Sequence, residues 1–147
     1  MNIAIAGYGI EGKANYDYWV KDPANHLTII DERDETSIED LPVDAATITG
    51  EAAFEKPQGF DLVIRTAGLA PHKIKTDGKV WSATNEFFAK CPAQIIGVTG
   101  SKGKGTTSSF IASILEAAGQ KVWLVGNIGT PSLTILDHIQ PTDVVVY

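Results

Sequence analysis

The stretch "NIAIAGYGIEG", residues 2–12, joins a short apolar run to a glycine-rich loop. The run that ends at Gly7 is typical of a buried parallel strand. From Ile10 to Val20 the apolar side chains recur at the spacing of a helix. Glycines at positions 7, 9 and 12 form a G-x-G-x-x-G pattern between the two elements. A strand, this loop and a helix in that order predict a phosphate-binding turn at a helix N-terminus.

An acidic residue follows at the distance that a Rossmann-type nucleotide site requires. Asp31 closes the apolar run "HLTIID" (26–31), nineteen residues after Gly12. In Rossmann units a carboxylate at this place binds a ribose hydroxyl. The pattern therefore favours a nucleotide site over the alternative, which is a tight strand–helix turn without a ligand.

Strands and helices alternate along the rest of the chain, which predicts an α/β fold with parallel strands. Residues 70–80 read as a loop, and Thr84 is a plausible N-cap for the helix after it. Gly119 is a plausible C-cap for an amphipathic helix. Further strands are expected in 26–31, 46–49, 61–68, 121–126 and 143–147, and residues 93–100 are expected to form a strand and then a loop. Further helical segments are expected in 83–91, 104–119 and 132–139.

The chain divides by pattern into a Rossmann-like parallel-sheet domain, residues 1–91, and the start of a P-loop-type ATPase α/β domain, residues 92–147. The final segment "DVVVY" (143–147) is apolar in the manner of an interior strand, and no helix follows to cover it. We therefore expect the second domain to be incomplete and the chain to be a fragment of a longer enzyme. An edge strand that ends a complete domain is the alternative.

Charge and composition exclude several classes of protein. The net charge of −6 lies entirely within residues 1–91, and such an acidic region argues against nucleic-acid binding. Cys91 is the single cysteine, so an intrachain disulfide is impossible, and we expect its side chain to be buried. The N-terminus lacks the basic start of a signal peptide, and no apolar run is long enough to span a membrane. A cytoplasmic protein without a membrane partner is expected.

A second glycine-rich loop, "GVTGSKGKGTTS" (97–108), also stands between a strand and a helix. It departs from the strict P-loop pattern, which would place glycine at Val98 and a hydroxyl at Gly105. Its glycines free the backbone to form an anion-binding nest. Lys104 stands where a P-loop lysine reaches the phosphates, and Thr106 is the first hydroxyl after it. One nucleotide loop in each domain predicts an ATP-driven enzyme that also holds a nucleotide-linked substrate.

On these motifs the chain resembles the Mur ligase family. The ATP loop of that family runs G-[T/S]-x-G-K-[T/S]-T, and residues 100–106 read "GSKGKGT". The segments "GYGIEG" (7–12), "RTAGLAP" (65–71) and "GNIG" (126–129) are similar to family segments at corresponding places. Two departures are Gly105, where Ser or Thr is usual, and "TAG", which replaces "SPG". Folylpolyglutamate synthases share the G-K-G-[S/T] form, but they lack an N-terminal UDP-binding domain.

The resemblance implies a site for ATP and a site for a UDP-linked substrate. Lys104 would be the catalytic residue and Thr106 the magnesium ligand. The ATP-binding residues would be Gly100, Ser101, Lys102, Gly103, Lys104, Gly105, Thr106 and Thr107. The UDP-substrate residues would be Gly9, Ile10, Glu11, Asp31, Glu32, Arg33, Thr66, Ala67, Gly68 and Asn127. As alternatives, Lys102, Glu32 and Arg33 are solvated surface residues, and Asn127 only stabilises a turn.

The resemblance also implies a reaction, with ATP and Mg²⁺ as cofactors. The complete enzyme would activate UDP-N-acetylmuramoyl-L-alanine as an acyl phosphate and join it to D-glutamate, in peptidoglycan precursor synthesis. We expect a monomer, and we expect this chain by itself to be inactive, because the family's metal-binding glutamate, carbamylated lysine, catalytic histidine and amino-acid domain would lie beyond it. The alternatives are a Mur-type ligase for another amino acid or substrate, an NAD-binding Rossmann protein, and a non-catalytic nucleotide-responsive module.

Overall fold

The protein is described by a computed structural model that covers residues 1–126 and 131–147. The chain divides into two compact units, Met1–Asn85 and Glu86–Tyr147. The domain bounds inferred from the sequence, 1–91 and 92–147, stay a prediction.

The first unit contains a sheet of five parallel strands, in agreement with the predicted α/β class. The strands are β1 (Asn2–Ala6), β2 (His26–Asp31), β3 (Ala46–Thr49), β4 (Leu62–Arg65) and β5 (Lys79–Ser82), and helix α1 (Ile10–Trp19) links β1 to β2. Their order in the sheet is β3-β2-β1-β4-β5. This is the order of a Rossmann-type sheet, in which the loops after β1, β2 and β4 meet at one edge.

Alternation along β1 explains why its sequence is apolar throughout. Ile3 and Ile5 pack into a cluster on one face of the sheet, where Tyr16 and Trp19 of α1 lie against it. Ala4 and Ala6 pack into a second cluster on the other face, together with buried residues such as Phe54. A strand that is buried on both faces requires small or aliphatic side chains at every position.

Strand β5 and the cap of the helix after it differ from the sequence-based expectation. The sequence predicts a loop at residues 79–80, yet Lys79–Ser82 pairs in register with β4. Helix α2 spans Ala83–Lys90. Ser82 Oγ accepts a hydrogen bond from the amide of Asn85 at 3.2 Å, so the cap is Ser82. The assignment of Thr84 as N-cap was wrong, because Thr84 lies within the first turn.

Within residues 86–126 and 131–147, the second unit contains a three-stranded parallel sheet. Its strands are β6 (Gln94–Ile96), β7 (Val122–Leu124) and β8 (Val144–Val146), in the order β6-β8-β7. The last strand of the chain is therefore central, and Val145 and Val146 are fully buried. This agrees with the interior character expected of "DVVVY". Cys91, expected to be buried, is only partly so.

Helix α3 (Lys104–Ala117) ends as predicted but exposes more apolar surface than expected. Gly119 has a φ of +84°, its amide donates to Glu116 O, and the amide of Gln120 donates to Leu115 O, which together form a Schellman motif. The buried positions of α3 are the small residues Ser108 and Ala112, whereas Phe110 and Ile114 are each 66% exposed. Within the described ranges, no helix combines the length and apolar character of a membrane span.

Candidate nucleotide sites

In the loop after β1, the fold requires glycine at positions 7 and 12 but not at position 9. Gly7 has a φ of +90°, and a Cβ at Gly12 would lie 2.0 Å from the carbonyl oxygen of Gly7. These two glycines are fixed by backbone conformation and by close packing of α1 on the loop. A Cβ at Gly9 would meet nothing within 4 Å, and its φ is −90°. The bare backbone at Gly9 is what a pyrophosphate needs in order to approach the loop.

The N-terminus of α1 is open to an anion. Gly9 is its N-cap, and no side chain caps the helix. The first amides of a helix lack partners within it, and the helix dipole adds partial positive charge at this end. By contrast, helix α2, which follows neither glycine loop, is capped by the side chain of Ser82. The first loop therefore offers donors that suit a phosphate group.

Asp31 lies at the end of β2, beside this loop, and both of its carboxylate oxygens are occupied. Oδ1 accepts from the amide of Arg33 at 3.0 Å and from its Nε at 2.9 Å. Oδ2 accepts from the amide of Tyr8 and from Arg33 Nη2, each at 2.8 Å. Nη2 also donates to the carbonyl of Tyr8 at 3.1 Å. The three residues thus form a closed network, in which Tyr8 is a member that the sequence reasoning missed.

The surroundings of Asp31 hold its carboxyl group in the charged form. Burial alone would raise its pKa, but the hydrogen bonds from the Arg33 side chain and from the amides of Tyr8 and Arg33 outweigh that effect. The pKa of Asp31 is lowered from 3.8 to about 2. The carboxylate is therefore ionised at any pH at which the protein would function.

This shift predicts a loss of stability in acid. Because the folded-state pKa lies below the unfolded value, the contribution of Asp31 is complete above pH 4 and is lost as the pH falls towards 2. The loss is on the order of 1 kcal/mol in the free energy of unfolding, because solvent screens the half-exposed Arg33 partner. Urea denaturation of the wild type and of Asp31→Asn at pH 7 and pH 3 measures it. The wild type should lose part of its advantage at pH 3, and an unchanged difference would contradict the prediction.

The loop after β4 meets the first glycine loop through Glu11. The Glu11 carboxylate accepts from the amide of Ala67 at 2.7 Å. Thr66 lies against Gly7, since a Cβ at Gly7 would be 2.8 Å from Thr66 Oγ1. Arg65 Nη1 donates to the carbonyls of Thr66 and Leu69 and so holds the turn. These hydrogen bonds constrain a turn in which "TAG" replaces "SPG".

The structure brings together most of the residues assigned to the first site, but some of them are exposed and have no contact described above. Tyr8, Glu11, Asp31, Arg33, Thr66 and Ala67 are joined to the glycine loop or to each other by the contacts above. Ile10 is 82% exposed, Glu32 is exposed, and Gly68 has open space around its Cα. Asn127 lies outside the described residues.

The second glycine loop runs from β6 to α3. Gly100 and Gly103 have φ values of +156° and +77°, which favour glycine. Helix α3 begins at Lys104 with Gly103 as its N-cap and no side-chain cap. Thr106 is thus the third residue of the helix rather than its cap.

Lys104, the first residue of α3, contacts the backbone of this loop. Its Nζ donates to the carbonyl of Gly100 at 2.5 Å. Ser101, Lys102, Thr106 and Thr107 are exposed at the rim, and Gly105 is partly buried. Lysine, hydroxyls and uncapped helix amides are donors and ligands that suit a nucleotide triphosphate with its magnesium ion. Within the described residues, no cluster of three or more His, Cys, Asp or Glu side chains could hold a metal.

Comparison with known proteins finds similar proteins for this chain. Residues 98–145 match the family described as Mur ligase middle domain. The "UDP-N-acetylmuramoylalanine--D-glutamate ligase" of Acetivibrio thermocellus is 36% identical over 98% of this chain, which covers 33% of that protein. The ligase of the same name from Clostridium novyi is 33% identical over 98% of the chain and is covered to 34%.

The chain is similar to Mur ligases over nearly its whole length, and residues 98–145 match their middle domain. It spans about one third of the length of the curated relatives it matches. Among solved structures, a pseudomurein peptide ligase type C from Methanothermus fervidus aligns with 99% of this chain and 32% of its own, at 21% identity and a TM-score of 0.47. The Mur ligase match begins at Val98 and contains the whole run Gly100–Thr107.

Proposed function

We propose that this chain supplies the UDP-substrate site and the start of the ATP site of a ligase that adds D-glutamate to UDP-N-acetylmuramoyl-L-alanine. One observation carries the proposal: each of the two units has a glycine loop that leads from a parallel strand into an uncapped helix. The relatives, which bear the name of this ligase, match across both loops. Residues 1–91 would form the substrate domain and 92–147 the first part of the ATP domain.

The residues of the second loop suit phosphoryl transfer to a carboxylate. In the proposed reaction, the γ-phosphoryl group of ATP passes to the substrate carboxylate, and the amine of D-glutamate then displaces phosphate from the acyl phosphate. Both reactants of the first step are anions, so charge must be neutralised and the oxygens held in line. Lys104 and the first amides of α3 would provide that charge and orientation. Thr106 would hold Mg²⁺, which would neutralise charge on the phosphates.

The residues of the first loop suit recognition of the UDP portion. The pyrophosphate would lie over Gly9 and the amides that open α1. Ile10, Arg33 and the turn from Thr66 to Gly68 would surround the uridine. We further propose that the protein is a cytoplasmic monomer and that residues 1–147 bind UDP without catalysing ligation.

Calorimetric titration of residues 1–147 with UDP tests the proposal. We expect saturable binding, and an absence of heat at millimolar UDP would count against it. A parallel titration with NADH, followed by its fluorescence, tests the redox alternative. Binding of NADH in preference to UDP would replace the proposal with that alternative.

A methyl group on Gly9 should separate ligand binding from folding. In Gly9→Ala the Cβ meets no atom of the chain within 4 Å, but it would stand between the loop and a pyrophosphate. We expect UDP affinity to fall at least about tenfold, or 1.4 kcal/mol, in calorimetry.

Gly97→Ala is the matched control for this variant. A Cβ at Gly97 also meets nothing within 4 Å, and Gly97 lies in the second unit. It should leave UDP affinity unchanged. Equal affinities of Gly9→Ala and the wild type would show that the pyrophosphate does not approach Gly9.

A further inference from the structure

The spacing of Asp31 predicts a ribose ligand, but its contacts give it other partners. A carboxylate has about four acceptor positions on its two oxygens. All four are matched here by donors of the chain: the amides of Tyr8 and Arg33, and Nε and Nη2 of Arg33. Asp31 is only 6% exposed, so little of its surface faces a ligand. A ribose hydroxyl would have to displace one of these charge-assisted bonds.

The network holds the peptide groups on both sides of Tyr8. Its amide donates to Asp31, and its carbonyl, which belongs to the peptide bond with Gly9, accepts from Arg33. Tyr8 as a whole is 4% exposed, and its ring packs edge-on to that of Tyr16 with centroids 6.1 Å apart. Asp31 and Arg33 therefore hold the backbone that leads into Gly9.

Arg33 keeps part of its guanidinium group free for a ligand. Three of its five side-chain N–H groups are used, one on Nε and two on Nη2. The two on Nη1 have no acceptor within residues 1–126 and 131–147, and the side chain is 48% exposed. The paired hydrogen bonds from Nε and Nη2 to Asp31 set the plane of the guanidinium group, so the two N–H groups on Nη1 have a defined direction.

We propose that Asp31 is a positioning residue, which holds the Tyr8–Gly9 backbone and the Arg33 guanidinium in place for the nucleotide and accepts no hydrogen bond from its ribose. The inference rests on the proposed function, since it concerns how the UDP site is built. It assigns recognition to the groups that the network leaves open: Gly9, the first amides of α1 and Nη1 of Arg33.

Two ligands separate this role from that of a ribose ligand. UDP and 2′,3′-dideoxyuridine diphosphate differ only in the two ribose hydroxyls. Asp31→Asn replaces an acceptor oxygen with an NH₂ group, which cannot accept from Tyr8 or Arg33. We expect the variant to bind both ligands about tenfold more weakly, with the ratio of their affinities unchanged from the wild type. A variant that loses affinity for UDP alone would overturn the proposal.

Asp61→Asn is the matched control. Asp61 Oδ2 accepts from the amide of Asn2 at 2.8 Å, at the opposite end of β1 and β4. The same chemical change there should leave the affinity for both ligands unaltered. If it weakened binding as much as Asp31→Asn does, the effect would be one of general destabilisation, and the positioning role would be overturned.

A measurement on the wild type covers the case in which Asp31→Asn does not fold. In the ligand-free chain, NMR should detect a coupling through the hydrogen bond from the Tyr8 amide nitrogen to the Asp31 carboxyl carbon, and this coupling should persist at saturating UDP. Its absence, or its loss on binding, overturns the positioning role. If the wild type binds no UDP at all, the proposed function fails, and the ligand-free coupling still decides whether Asp31 holds the loop.

Discussion

Replacing Gly12 with alanine is expected to unfold the first unit or to destabilise it severely. The added Cβ would lie 2.0 Å from the carbonyl oxygen of Gly7 and 2.9 Å from its carbon. Both are backbone atoms of the loop that Asp31 and Arg33 hold, so they cannot move aside as a flexible side chain would. Helix α1 would have to leave β1, at a cost of about 3 kcal/mol or more. Urea denaturation followed by tryptophan fluorescence measures this cost.

Gly9→Ala is the control for the stability of Gly12→Ala. It makes the same substitution three residues earlier in the same loop, where no atom lies within 4 Å of the new Cβ. Its cost should be about 1 kcal/mol or less, since alanine is only a poorer N-cap than glycine. Similar unfolding midpoints for the two variants would show that α1 does not pack on Gly7 as described.

Lys104→Ala is expected to slow ligation severely in a complete enzyme. Such an enzyme can be built by joining residues 1–147 to the remaining two thirds of the Acetivibrio thermocellus relative. In the chain described here, the Lys104 ammonium group is held at the loop by Gly100 O and lies at the first residue of α3. Its loss would remove a positive charge from the developing phosphoryl transition state. We expect kcat to fall by about 10² to 10³.

Lys102→Ala is the comparison for this variant, because it removes the same charge from the same loop. Lys102 is exposed at the rim, whereas Lys104 is partly buried and contacts the loop backbone. The effect of Lys102→Ala on kcat should therefore be much smaller. Turnover by Lys104→Ala equal to that of the unaltered fusion, measured by release of phosphate, would remove the basis for the proposed ATP site.

The parts of the fold that the sequence predicted are those in which several local signals agree. In residues 2–12 the apolar run, the glycine spacing and the helical period all indicate one strand–loop–helix unit, and the structure has that unit. Gly119 was equally clear, because a positive φ after a helix favours glycine strongly. The segment "DVVVY" indicated an interior strand, because a strand that is buried on both faces has a continuous run of apolar residues.

The parts that were missed lack such agreement. Strand β5 has four residues, lies at the edge of the described sheet beside β4 and begins with an exposed lysine, so its sequence resembles a loop. The exposure of Phe110 and Ile114 on α3 could not be inferred, because the helical spacing of apolar residues predicts an apolar stripe but not what that stripe contacts. For Asp31, spacing placed the residue at the correct edge of the sheet. It could not show that Arg33, two residues later, would fold back onto the carboxylate.

The central place of β8 has a consequence for the order in which the protein forms during synthesis. The first sheet is complete once Ser82 has emerged, since β5 is its last strand. Among the described residues of the second sheet, β6 and β7 each pair with β8 and not with each other, and Gln94 is made fifty residues before its partner Val144. At about 5–20 residues per second, this delay lasts seconds. The loop with Lys104 is thus made long before the sheet that anchors it.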